Sequence, residues 1–235
     1  MSARQIVLDT ETTGLNARLG DRVIEIGCVE VLSRRITERS FHRYLNPERE
    51  IEEGAARVHG LSSEFLADKP RFAEVAGEFL DYVRGAELVI HNADFDVEFL
   101  DLELGFAGLG KLAEHVGGVV DTLAMARELH PGKRNSLDAL CERYSVDNSH
   151  RTLHGALLDA RLLAEVYLAM TRGQESLAMD LAAPVAMAGS AARLDGAMLI
   201  VVPASAEELA AHEAYLDALD RQAPGGSLWR RLGAG

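Results

Sequence analysis

Gln5-Ile6-Val7-Leu8-Asp9-Thr10-Glu11-Thr12-Thr13-Gly14 is an apolar run that ends in acids and a turn. Its first half predicts a short buried strand, and Thr12-Thr13-Gly14 predicts the chain turning away. Side chains alternate along a strand, so Asp9 and Glu11 project to the same side, roughly 6–7 Å apart. Two anions at the end of a buried strand repel each other and lose hydration, so they need a cation or hydrogen-bond donors nearby. Hard oxygen ligands of this kind suit Mg²⁺ or Mn²⁺ rather than zinc. An ordinary polar strand end has the same look, and the pair alone does not separate the two.

Working outward, Arg22 to Val31 is rich in β-branched residues and predicts a second strand; Ile36 to Leu45 predicts a third. The tight polar Ser33-Arg34-Arg35 joins them as a hairpin, which makes the early sheet at least partly antiparallel. Phe72, Val75, Ala76, Phe79, Leu80 and Val83 recur at helical spacing. Leu88 to His91 reads as a strand, Phe95, Phe99, Leu102 and Phe106 mark a helix, and Val119-Val120-Asp121 reads as an edge strand. Helices around Thr122–Leu129, Ser136–Tyr144 and Gly155–Met170 complete an α/β pattern: a mixed sheet with helices packed on it.

The 235 residues allow one sizeable domain, or a domain of about 170 residues with a tail. The N-terminal residues offer no cleavable apolar region, and the apolar run Ala197 to Val202 is far short of a membrane span. Cys28 and Cys141 lie far apart without metal spacing and read as small apolar residues in a reduced cytoplasm. A protein that grips nucleic acid unaided usually carries a basic face, whereas this chain has a net charge of −13. Either the chain never meets nucleic acid, or metal ions and a partner supply the positive charge.

Two further acidic clusters stand out. In His91-Asn92-Ala93-Asp94-Phe95-Asp96, at a strand–helix junction, Asp96 falls in the first helical turn, where a carboxylate can cap free amides. Capping is equally open to Asp94. In the last helix Ala156, Ala160, Leu163, Ala164 and Tyr167 form an apolar stripe, and Asp159 lies within it. An acid on a packing face is costly unless something binds it. On a continuous helix His154 would point about 140° from Asp159, so it is better placed at the helix's leading edge, reaching the site from the side.

Asp-x-Glu near the N-terminus, Asn-x-x-Phe-Asp in the middle and His-x-x-x-x-Asp late in the chain together resemble the signature of the DEDDh exonucleases, from Ile6 to about Met170. Asp9 to Leu15, Val58-His59-Gly60-Leu61 and His91-Asn92 look like one branch of that superfamily, the proofreading ε subunits of bacterial DNA polymerase III. The resemblance implies an RNase H-like exonuclease fold with a mixed five-stranded sheet flanked by helices and a flexible C-terminal tail. It implies two divalent metals, Mg²⁺ or Mn²⁺, on Asp9, Glu11, Asp96 and Asp159, with His154 as general base. Thr12 and Leu15 are expected to cradle the terminal nucleotide, with His59 and Asn92 near the site. Asp94 departs from the family pattern, which usually has a small neutral residue there, and is expected to cap the helix rather than to bind a metal through water.

The same resemblance divides the chain into a nuclease domain over 1–172, a sliding-clamp motif over 173–180 (Gln174, Leu177, Met179), a linker over 181–205 and a polymerase-docking tail over 206–235 (Leu209, Leu216, Trp229). Residues 181–198, rich in Ala, Gly and Met, read as a linker in their own right, and Ala206–Leu219 fits a short helix. The expected partners are DNA 3′ ends, the polymerase III catalytic subunit and the sliding clamp. Tethering to them would supply the local concentration that an acidic surface does not. The catalytic residues leave two alternatives open: a DEDDh ribonuclease, and a mainly architectural subunit bridging polymerase and clamp.

Overall fold

The structure, a computed structural model, describes residues 4–149, 151, 153–172, 203–222 and 229. The chain divides into two units, Met1–Ala183 and Pro184–Gly235.

In the first unit a five-stranded sheet has the order β3-β2-β1-β4-β5. The strands are β1 (Arg4–Thr12), β2 (Val23–Leu32), β3 (Arg35–Tyr44), β4 (Glu87–Ile90) and β5 (Gly118–Asp121). β3, β2 and β1 pair antiparallel, whereas β1, β4 and β5 run parallel, so the sheet is mixed and β1 is its centre. The β2–β3 turn is two residues long, and Ser33 and Arg34 both take positive φ, as a hairpin turn matching strand twist demands.

Seven helices accompany the sheet among the described residues of this unit: α1 (Glu53–His59), α2 (Ser63–Leu66), α3 (Phe72–Val83), α4 (Ala93–Phe106), α5 (Thr122–Leu129), α6 (Leu137–Tyr144) and α7 (Ala156–Met170). Alternation along β1 decides what each face meets. Ile6 and Leu8 join Phe72, Phe79, Phe99 and Leu100 of α3 and α4 in the larger core. Val7 points the other way, to Leu163, Ala164 and Tyr167 of α7. Each such large apolar side chain, fully buried, contributes about 1.5–3 kcal/mol. α7 is buried more widely than one stripe: Leu162, Val166 and Met170 form a second contact with Leu140 and Cys141 of α6.

Gly27 lets α7 lie this close. A Cβ there would sit 2.2 Å from the Ala156 carbonyl carbon and the Leu157 nitrogen. The glycine interrupts an otherwise β-branched strand, a pattern that marks close backbone approach. Phe106, which helps to mark α4 in the sequence, is 71% exposed and lies under the Arg22 guanidinium, which is 5.3 Å from the ring centroid. It ends the helix, beyond the reach of the sheet. Cys28 and Cys141 are buried free thiols.

In the second unit α8 spans Ala206–Gln222, longer than the sequence pattern suggests. Ser205 and Glu208 close its N-terminus reciprocally: the Glu208 amide donates to Ser205 Oγ at 3.2 Å and the Ser205 amide to Glu208 Oε2 at 2.8 Å. Leu216 is buried, Leu209 and Trp229 are exposed, and the Trp229 ring stands edge-on to His212 at 6.3 Å. Among the described residues, no helix is long and apolar enough to cross a membrane.

Candidate active site

The alternation that builds the core also builds the site. Asp9 and Glu11 continue the Val7 face of β1, toward α7, where Asp159 occupies the first turn. Thr10 continues the opposite face, toward α4. Its amide and its hydroxyl both donate to Asp96 Oδ1, at 3.1 and 2.7 Å. The strand end thus gathers acids from two helices. Asp9, Glu11, Asn92, Asp96, His154 and Asp159 all line one cleft of about 860 Å³.

The carboxylates are mutually destabilised. Loss of hydration, then the charges of Asp96, Glu11 and Asp159, raise Asp9 well above the usual carboxylate range. Burial, then Asp159 and Glu25, push Glu11 up to about 8. Burial raises Asp96 to about 7 against the opposing pull of its two Thr10 hydrogen bonds. Such a cluster at the mouth of a cleft calls for cationic compensation. Ligand atoms of Glu11, His154 and Asp159 lie within 4.8 Å of one another, a spacing that one cation can span. Asp9 and Asp96 stand outside that trio and meet it through their charges.

His154 precedes α7, whose N-cap is Gly155, and so sits at the leading edge of that helix, its Nδ1 3.4 Å from Asp159 Oδ2. Its amide donates to the Val58 carbonyl at 3.1 Å, which ties this segment to α1. Asn92, in the left-handed region at φ 66°, turns the chain from β4 into α4, and its amide donates to Asp121 Oδ1 at 3.1 Å.

Three expected substrate residues do not line the cleft. Thr12 is buried, with its hydroxyl donating to the Gly14 carbonyl at 2.7 Å. Leu15 is 82% exposed at the tip of a loop pinned by Asp21, which accepts from the Thr13 hydroxyl and the Asn16 amide. His59 is buried at the end of α1; its Nδ1 accepts from the Leu61 amide, and its Nε2 has no hydrogen-bond partner among the described residues. Burial, the first cause, lowers its basicity. Asp94 is exposed, and no side-chain hydrogen bond caps α4, so the capping role expected of it is not what the structure presents. Leu209, Leu216 and Trp229 belong to the second unit; Gln174, Leu177 and Met179 lie outside the described residues, as does most of the expected linker.

The sequence reading missed several residues of the cleft. Arg127, Lys133 and Arg134 supply a basic wall from α5 and the α5–α6 connection, in a chain that is acidic overall. Pro131-Gly132-Lys133-Arg134 was the available signal, a basic pair in a turn. Arg151 was also missed. Its Nε and one terminal nitrogen donate to the two oxygens of Asp159, both at 2.6 Å, and its other terminal nitrogen donates to Asp138 at 2.5 Å.

Residues 6–167 match the RNase_T family, described as Exonuclease. DNA polymerase III subunit epsilon of Salmonella typhimurium is 54% identical, with 97% of each chain covered, and that of Escherichia coli is likewise 54% identical at 97% of each. The Pasteurella multocida subunit is 49% identical over 97% of this chain and 94% of its own. Among solved structures, exonuclease X in complex with 5′-overhanging duplex DNA has a TM-score of 0.58 at 25% identity, covering 73% of this chain and 93% of that one. E. coli exonuclease I in complex with a dA16 oligonucleotide has a TM-score of 0.65 at 18% identity over 74% and 42%, a likeness of fold. The chain therefore belongs to the RNase_T exonucleases and, within them, to the DNA polymerase III epsilon subunits. Exonucleases of this family are metal-dependent, in keeping with the carboxylate cluster.

Proposed function

We propose that this chain is the editing 3′→5′ exonuclease of a replicative DNA polymerase, removing mispaired terminal nucleotides as nucleoside 5′-monophosphates. The observation that carries the reading is the convergence of Asp9, Glu11, Asp96 and Asp159, with His154 beside Asp159, in one cleft. Those four carboxylates would hold two divalent ions, Mg²⁺ or Mn²⁺; their oxygen-only donor set and mutual repulsion fit hard cations. Such ions, when bound, neutralise the acids, polarise the scissile phosphate and stabilise the leaving 3′ oxygen.

The chain's own residues do the rest. His154, with 44% of its side chain exposed, is placed to take the proton of the attacking water. An imidazole so placed is suited to that transfer at neutral pH. Asn92 presents its side chain at the cleft, and Lys133, Arg134 and Arg127 offer charge to the backbone phosphates of the entering strand. Leu15, at its exposed loop tip, is available to stack on the terminal base, with Thr12 and His59 shaping that loop and its neighbour. An unpaired terminus separates from its partner at less cost, which gives preference for mismatches.

Residues 1–172 would form the nuclease, with Gln174, Leu177 and Met179 engaging the sliding clamp. Residues 206–235, through Leu209, Leu216 and Trp229, would dock the polymerase. The names of the relatives, together with the exposure of Leu209 and Trp229, support this division.

With Mg²⁺, the full chain should shorten 3′-labelled single-stranded DNA, and Asp9→Ala should abolish the shortening while keeping the fold. A folded, metal-loaded protein that leaves DNA intact refutes the reading, and preferential digestion of RNA ends in competition replaces it with a ribonuclease. A chain ended after residue 172 should keep its nuclease activity but no longer co-purify with polymerase and clamp.

A further inference from the structure

Arg151 makes an arrangement that the proposed reaction does not use. Its guanidinium forks onto both oxygens of Asp159 at 2.6 Å, with only 7% of the Arg151 side chain and 4% of the Asp159 side chain exposed. The nitrogen that binds Asp159 Oδ2 also lies 3.0 Å from His154 Nδ1. A guanidinium can only donate, so Nδ1 of His154 accepts, and the one proton of the neutral ring is then on Nε2. In that state His154 has no free lone pair with which to take a proton from water. Asp159 has likewise given both of its oxygens to a cation already present. The remaining nitrogen of Arg151 holds Asp138, whose side chain is 60% exposed and lies outside the cluster of candidate metal ligands.

We propose that Arg151 is a displaceable internal cation. Arg151 occupies Asp159 and engages Nδ1 of His154; when Asp159 holds a divalent ion, Arg151 would withdraw toward Asp138 and leave the ring free. Arg151 is thus a positioning residue that couples metal loading to the readiness of the base. A bidentate, largely buried arginine–carboxylate pair is a strong competitor for a ligand, so the ion binds less tightly than the carboxylate set alone would bind it. This inference rests on the reading of Asp159 as a metal ligand.

Two measurements on the full chain test it. The first is Mn²⁺ binding, followed by electron paramagnetic resonance, for wild type, Arg151→Gln and Arg151→Lys. Arg151→Gln should bind Mn²⁺ about tenfold more tightly, equivalent to about 1.4 kcal/mol, and should melt at a lower temperature in EDTA. Arg151→Lys, which keeps the charge without the fork, should fall between. The second is the ¹⁵N spectrum of the His154 ring in wild type, assigned by its loss in His154→Ala. Without metal it should report the Nε2–H form, and saturation with Mg²⁺ should change it. Arg151→Gln affinity equal to or weaker than wild type, or a His154 spectrum that Mg²⁺ leaves unchanged, means that Arg151 is a permanent scaffold and overturns the proposal. Wild type that binds no Mn²⁺ at all refutes instead the metal reading on which it rests. If Arg151→Gln does not fold in EDTA, the wild-type spectrum and the lysine variant still decide.

Discussion

Replacing Gly27 by alanine tests how closely the chemistry depends on where α7 begins. Gly27 lies opposite Asp9 in the β1–β2 pairing, and its φ is not left-handed, so alanine meets no backbone penalty there. The effect is purely steric. The new Cβ would lie 2.2 Å from the Ala156 carbonyl carbon and the Leu157 nitrogen, where ordinary contact begins at 3.4 Å, so the first turn of α7 must retreat by about 1.2 Å. Both obstructing atoms are backbone, which excludes relief by a rotamer change. Asp159 sits in that turn and moves with it, away from Asp9 and Glu11. Overpacking of this kind costs about 1–3 kcal/mol of stability, and a displacement near 1 Å costs on the order of 100-fold in rate. The assay is kcat at saturating single-stranded DNA with Mg²⁺, beside the melting temperature and the circular dichroism spectrum. A folded Gly27→Ala protein with kcat within about twofold of wild type would show that the site tolerates the shift, and the reasoning would be wrong.

Four further outcomes follow from the geometry. Glu11, raised to about 8, is protonated in the folded protein and ionised in the unfolded chain between its ordinary value of 4.5 and about 8, so the folded state binds more protons there. Its contribution to stability is present below that window and is lost as pH rises through it; in EDTA the melting-temperature advantage of Glu11→Gln over wild type should widen from pH 5 to 8, and a constant difference contradicts the assignment. His154→Ala should lower kcat by about 10²–10⁴ while leaving Mn²⁺ binding measurable by titration calorimetry. Thr10→Val removes the hydroxyl donor to Asp96 but leaves the amide; a charge-assisted bond of about 1.5–3 kcal/mol predicts metal binding weakened by about tenfold or more in the same titration. Gly77 in α3 is exposed, and a Cβ there meets nothing within 4 Å. Gly77→Ala should therefore raise stability in urea by about 0.5–1 kcal/mol with activity unchanged.

The parts of the site that were legible in the sequence are those set by a short repeat. A period of two placed Asp9 and Glu11 on one face of β1, and a period near four placed Asp159 on the packed face of α7; both faces are as the pattern requires. The five-stranded mixed sheet followed from the same periods and from the hairpin at Ser33-Arg34. Asp96 was ambiguous because what singles it out, two bonds from Thr10, crosses from one element to another. Arg151 was invisible for the same reason: it reaches Asp159 from outside any regular element, where spacing carries no direction. Gly27 carried a visible mark, a glycine among β-branched residues, but the partner it makes room for lies far along the chain. Phe106 marked its helix correctly, but a helical stripe does not reveal where the surface it packs against stops.

The site draws on the two ends of the domain: Asp9 and Glu11 come from the first strand, Asp159 from the last helix, and β1 lies between β2 and β4 at the centre of the sheet. A ribosome delivers these parts in that order, and domains fold as units once enough chain has emerged. While the exit tunnel still holds α7, the acids of β1 have neither Asp159 nor His154 beside them, and the cleft lacks a wall. On the proposed roles of these residues, the nascent chain lacks a complete nuclease site until the domain is nearly whole. Fragments cut short before α7 would share that gap, and incomplete translation would then yield no stray nuclease.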